Sequence, residues 1–128
     1  LGLDLLYRRH FYDTLLNDYF SQERTILLTT HQVEEVENLL TDVMFIDRGR
    51  IILDSTVEAL SERYVQLAVA AGRLETARAL QPIHEREVFG RKILLFDNVE
   101  RQALAGLGEL RTATIADLFV ARMQEQHP

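Results

Sequence analysis

From Val65 onward, short β-type runs alternate with short helical ones, and their order narrows the available folds more than any single residue does. Val65 to Ala70 reads as a strand, Arg73 to Leu80 as a helix and Pro82 as a break. His84 to Phe89 and Arg91 to Asp97 meet at Gly90 and read as a hairpin. A helix around Val99 to Leu107, a strand at Glu109 to Ala113 and a helix from Ile115 to Gln124 complete the series. Thr114 and Asp117 have the spacing of a capping box, while Ile115, Leu118, Phe119 and Met123 give the last helix an apolar face. Strand-helix-strand-strand-helix-strand is the order of a ferredoxin-like (βαββαβ) split unit, here followed by a C-terminal helix.

The preceding residues are organised differently. Tyr12, Leu15, Leu16 and Tyr19 recur at helical spacing, with Asp4 placed to cap a helix over Leu5 to Phe20. Thr25-Ile26-Leu27-Leu28-Thr29-Thr30 is β-rich without polar alternation, the signature of a strand buried on both faces, as in a parallel sheet. His31 stands at its C-terminal end, and Val33, Val36 and Leu40 then form one face of a short helix. Val43 to Asp47 and Arg50 to Asp54 read as strands joined through Arg48-Gly49. Ser55-Thr56-Val57-Glu58 has capping-box spacing and opens a helix to about Tyr64. The change of pattern divides the chain into residues 1–64 and 65–128. Charge divides with it: six basic residues stand against twelve acidic ones in the first part, eight against eight in the second.

A net charge of −6 argues against an electrostatic grip on nucleic acid, so no nucleic-acid partner is expected. Without cysteine there is no disulfide framework, thiolate metal site or thiol nucleophile. Apolar runs such as Ile93-Leu94-Leu95-Phe96 fall far short of the roughly 20 residues of a membrane-spanning helix. Asp4, Arg8, Arg9, Asp13 and Asp18 interrupt the first twenty residues, against a secretory signal. These features lead to the expectation of a soluble intracellular chain, and the start at Leu1 to the expectation of a piece of a longer protein.

Residues for chemistry are few. A phosphate-binding loop needs Gly-Lys followed by Ser or Thr, so that the ammonium reaches the terminal phosphates. The one lysine, Lys92, lies between Arg91 and Ile93, and no such loop exists. Val43-Met44-Phe45-Ile46-Asp47 and Ile93-Leu94-Leu95-Phe96-Asp97 imitate the strand that ends in a Mg²⁺-binding aspartate. Arg48 and Asn98, not Glu, follow them, and both read as ordinary strand ends. A metal-dependent hydrolase lacks ligands, because His10, His84 and His127 are too scattered to complete a set with His31, and Glu34, Glu35 and Glu37 read as a solvated helix face. His31 is the strongest candidate. At the carboxyl end of a buried strand and the start of a helix, an imidazole can donate to a phosphate oxygen.

Gly2-Leu3-Asp4, a helix, then Thr25 to His31 resemble, in order and spacing, the C-terminal part of the ATP-binding subunit of ABC transporters. Val33-Glu34-Glu35-Val36-Glu37 and Asp42 through Ile51 extend that resemblance, which covers residues 1–64. Asp4 corresponds to the D-loop aspartate, although Leu1 replaces the usual Ser. His31 corresponds to the switch histidine of the H-loop, and Gly49 to the glycine between the two following strands. Ser55 stands where a glycine is common.

The resemblance implies a partial P-loop-type nucleotide-binding domain over 1–64 and an accessory C-terminal domain over 65–128, an α/β part followed by an α+β part. His31 would contact the ATP γ-phosphate and hold the attacking water in line, and Asp4 would couple the two nucleotide sites of a dimer. ATP and Mg²⁺ would serve the full-length parent, with no cofactor expected for these residues alone. The implied partners are a second ATPase subunit, most simply an identical copy, and a membrane permease that holds the protein at the cytoplasmic face. Because Walker A, signature and Walker B motifs precede the D-loop in that family, this stretch is expected to be inactive by itself. Its N-terminal half is then expected to rearrange, or to pair with another copy, to cover the apolar Thr25 to Thr30 segment. The alternative is a stand-alone ligand-binding or regulatory module with a ferredoxin-like half and no enzymatic role.

Overall fold

The computed structural model describes residues 2–14, 17, 27, 29 and 33–127, in two compact units, 1–39 and 40–128. In the first, helix α1 spans Gly2–Thr14. It begins three residues before the expected Leu5, so Asp4 is a first-turn residue and not the N-cap. Phe11 and Tyr12 meet edge to face with ring centroids 5.7 Å apart. The expected continuation to Phe20, the strand over Thr25 to Thr30 and His31 lie outside the described residues, apart from Asn17, Leu27 and Thr29. Leu27 and Thr29 are exposed and carry no regular structure. The expected helix after His31 is instead two 3-10 turns, Val33–Glu35 and Glu37–Leu39, closed by Val36 N–H to Val33 O (3.1 Å) and Leu39 N–H to Val36 O (2.9 Å). β-Branched Val33 and Val36, with like-charged Glu34 and Glu37 three apart, disfavour a longer α-helix.

The second unit opens with an antiparallel hairpin of β1 (Asp42–Asp47) and β2 (Arg50–Thr56). Arg48 (φ 50°) and Gly49 (φ 77°) turn it with two positive φ angles, the type I′ pattern whose twist matches that of the strands. The register slips between Phe45, opposite Leu53, and Ile46, opposite Ile51, so Ile52 forms a bulge. Helix α2 (Val57–Arg63) is capped by Thr56, whose Oγ1 accepts from Ala59 N–H at 3.0 Å. The expected cap, Ser55, is still paired with Val43 in the strand, and its hydroxyl donates to the Thr56 carbonyl.

Strand β3 (Tyr64–Val69) starts where α2 ends. Then come α3 (Leu74–Arg78), β4 (His84–Val88), β5 (Arg91–Asp97), α4 (Arg101–Leu104), β6 (Gly108–Thr112) and α5 (Ile115–Gln126). The sheet order is β4-β5-β3-β6, with every neighbouring pair antiparallel. Both α3 and α4 are shorter than their expected spans. Gly72 at φ 78° and Gln81 at φ 60° before Pro82 bound α3, and Gly106 at φ 84° follows α4. Gly108 is required by close approach, since a Cβ there would overlap the Ala68 carbonyl oxygen of the neighbouring strand.

All six residues of β3 are buried, which explains an apolar run without alternation: both faces of this central strand are covered. Val65, Leu67 and Val69 pack with Ala77, Leu94, Phe96, Leu104 and Leu107 on the face that carries α3 and α4. On the other face Gln66, the buried polar residue of this strand, donates from Nε2 to Asp117 Oδ2 at 2.9 Å, which ties α5 to the sheet. The same helix reaches the β1–β2 hairpin. Phe119 stands edge-on to Phe45 with centroids 5.4 Å apart, and Arg122 Nη2 donates to the Ile52 carbonyl that the bulge exposes (3.1 Å). Two antiparallel sheets bridged by one helix make this an α+β unit.

Candidate functional site

Of the two residues singled out by sequence, His31 lies outside the described residues, and Asp4 is placed only as part of the first turn of α1. The two aspartates that end apolar strands are both occupied by other side chains. His127 donates from Nε2 to Asp47 Oδ2 at 2.8 Å while its Nδ1 accepts from Arg48 Nη2 at 2.9 Å, an arrangement that fits the Nε2-protonated tautomer. Asp97 receives a bidentate pair from Arg63, Nε to Oδ1 at 2.7 Å and Nη2 to Oδ2 at 2.9 Å. Both carboxylates are thus engaged by side chains from elsewhere in the chain.

The Arg63–Asp97 pair lies where α2 passes into β3 and β5 ends. Asn98 N–H donates to Arg63 O at 2.8 Å, and Arg101 Nη2 to Ser61 O at 2.9 Å. Ala59, Glu62, Arg63, Asp97 and Asn98 line an open depression at this point. The Asp97 carboxylate holds the Arg63 guanidinium above its ordinary value. That guanidinium also lies 4.9 Å from the ring centre of Tyr64. Tyr64 is buried, and its hydroxyl has no hydrogen-bond partner among the described residues. Burial pushes its phenol up, the charge of Asp97 adds to this, and Arg122 and Arg63 oppose it.

A smaller cavity lies between the sheet and α5, lined by Gln66, His84, Arg86, Leu95, Asp117 and Val120. Its polar groups largely satisfy one another. Asp117 takes the Gln66 amide and faces Arg86 Nη2 at 3.6 Å, and His84 Nε2 meets Gln124 Oε1 at 2.7 Å. On the sheet edge Arg78 grips Glu85 with two bonds of 2.9 and 2.8 Å, which keeps that carboxyl below the usual carboxylate range. No group of three or more metal-ligating side chains occurs among the described residues. The polar side chains around these two depressions form ion pairs and hydrogen bonds with one another.

Sequence reasoning missed the Arg63–Asp97 and Asp47–His127 pairs, which join residues 34 and 80 positions apart. One signal was present: a glutamine inside the apolar Val65 to Ala70 run must find a partner if the strand is buried. No helix among the described residues is long and apolar enough to cross a membrane.

No family model matches the chain. Over 78 residues, 59% of its length, it is 35% identical to ABC transporter A family member 6 of Dictyostelium discoideum. The chain corresponds to only 5% of that protein. Over that stretch, the sequence is related to that of an ABC transporter.

Proposed function

We propose that this chain is part of the ATP-binding subunit of an ABC transporter, a partial P-loop-type domain over residues 1–64 followed by a ferredoxin-like accessory unit over 65–128. The observation that carries the reading is the 35% identity over 78 residues to an ABC transporter. The ordered Gly2-Leu3-Asp4, His31 and Gly49 pattern supports it. The β4-β5-β3-β6 order of the accessory unit, all antiparallel, suits a split βαββαβ arrangement.

In this reading Asp4 faces a second ATPase subunit and His31 faces the γ-phosphate, within an assembly docked on a permease at the cytoplasmic face of the membrane. The described residues do not fit ATP and Mg²⁺ by themselves. Lys92 sits 3.6 Å from Glu87 on a hairpin, and Asp47 and Asp97 are taken by His127 and Arg63. In the assembled full-length transporter, His31→Ala is expected to lower ATP turnover about 100-fold, the scale of losing one transition-state donor, with nucleotide affinity nearly unchanged. Equal losses of turnover and affinity would overturn the assignment.

A second reading is favoured by the self-contained core of the accessory unit: a regulatory or ligand-binding module without enzymatic role. The reading frame upstream of residue 1 separates the two. A Gly-rich loop with Lys-Ser/Thr, a signature segment and an Asp-Glu pair before Leu1 support the transporter subunit, and a start codon immediately before Leu1 supports the module.

A further inference from the structure

The apex of the β4–β5 hairpin is Phe89-Gly90, with φ angles of 50° and 80°. A turn with two positive φ angles favours Asn, Asp or Gly at its first central position, and a phenylalanine there is strained. Phe89 is also wholly exposed, at 102% relative accessibility, so the fold gains nothing from its ring. The other hairpin offers an internal comparison. Arg48 adopts the same φ of 50°, but its guanidinium bonds to His127. Strain at Arg48 is offset within the chain, whereas strain at Phe89 is not.

The surroundings of Phe89 indicate what offsets it. Ala70 N–H donates to Leu107 O at 2.8 Å, and Arg91 Nη2 reaches the Ala68 carbonyl at 3.4 Å, so the loops after β3 and before β6 share this end of the sheet with the hairpin tip. Those loops expose Ala70, Ala71, Gly72, Ala105 and Gly106, with Arg73 as their one charge. Arg91 and Lys92 form the shoulder of the tip. Their acidic neighbours, Glu109 at 3.7 Å and Glu87 at 3.6 Å, are exposed and beyond hydrogen-bond distance, so these pairs yield readily to another anion. The opposite end of the sheet carries Glu62 and Glu100 together with Arg63 and Arg101. A flat end of small residues with one protruding aromatic and a basic rim lacks the clustered bulky anchors of a protein interface. It has the features of an element resting on lipid headgroups, with the ring in the apolar boundary and the cations at the phosphates.

We propose that the β4–β5 hairpin tip inserts Phe89 into the headgroup boundary of an anionic bilayer, with Arg91 and Lys92 against lipid phosphates. This needs no permease or nucleotide and stands apart from the transporter reading, whose failure would leave the test below unaffected. The chain contains no tryptophan, so Phe89→Trp places a single reporter at the tip. With the full chain, its emission is expected to shift to the blue on mixing with phosphatidylserine-containing phosphatidylcholine vesicles, and the shift to fade with added salt. Phe89→Gly is expected to cut co-sedimentation with those vesicles about tenfold or more, since it removes the inserted ring. Its melting temperature should hold or rise, because glycine accepts this backbone. Arg91→Gln with Lys92→Gln should weaken binding to anionic vesicles only. Unchanged Trp emission with anionic vesicles, or Phe89→Gly binding like the parent, overturns the proposal. So does a blue shift without vesicles that grows with protein concentration, which would mean that the tip docks on a second copy.

Discussion

Thr56 shows how a single residue is chosen by its surroundings. Ser55 and Thr56 both have hydroxyls that could cap α2, and the Ser55-to-Glu58 spacing favours Ser55. The β1–β2 ladder runs to Thr56, keeps Ser55 in the strand, and leaves the cap to Thr56. Thr56→Ala should therefore cost about 1 kcal/mol in chemical denaturation, while Ser55→Ala should stay within about 0.5 kcal/mol. Tyr64 is the opposite case, a buried hydroxyl without a partner. Tyr64→Phe should leave stability unchanged or raise it by up to about 1 kcal/mol, since it removes an unsatisfied polar group and keeps the ring. The phenol is held above its ordinary value of 10.0, by burial first and then by the Asp97 charge. A raised folded value means that this residue's contribution is complete below the unfolded value and is lost as pH rises toward the folded one. Thermal melts above pH 10 should consequently fall less steeply for Tyr64→Phe than for the parent. At this scale the sequence was legible for the Thr114 cap, whose hydroxyl accepts from Asp117 N–H as the spacing implies. It was not legible for Thr56, because strand length rather than motif decides which hydroxyl is free.

Helix α5 is the element that holds the second unit together. Of the apolar positions read from spacing, Ile115 and Leu118 are buried while Phe119 and Met123 are half-buried, and Ala121, which spacing did not single out, is buried as well. Its polar contacts are not readable: Asp117 serves Gln66 and Arg86, Arg122 serves the bulge carbonyl of Ile52, and Gln124 serves His84. These partners lie 31 to 70 residues away, and local periodicity carries no information on them. Leu118 is 1% exposed, so Leu118→Ala should cost about 3 kcal/mol by urea denaturation, through lost burial and an unfilled cavity. The short helices α3 and α4 teach the converse. Their extents were overread from apolar spacing, because glycines and a pre-proline residue with positive φ stop the chain from continuing.

At the scale of the molecule, residues 40–128 form a compact unit with both faces of a four-stranded sheet covered. A chain truncated to residues 40–128 should unfold in a single cooperative transition, with far-ultraviolet and near-ultraviolet circular dichroism melting together. Separate transitions would mean that the β1–β2 hairpin is not part of the cooperative unit. From residue 42 onward, the alternation of β and α runs determined the element order, and the turns at Arg48-Gly49 and Gly90 determined the two hairpins, because periodicity and turn chemistry act over a few residues. The candidate site had a different origin, since His31 and Asp4 were drawn from a resemblance and from their places in the order of elements. Which hydroxyl caps α2, which aspartates are taken by Arg63 and His127, and which aromatic stays in solvent were decided only by the tertiary structure. Those outcomes depend on strand register and on contacts between residues far apart in sequence, where packing chooses among side chains that local chemistry leaves equivalent.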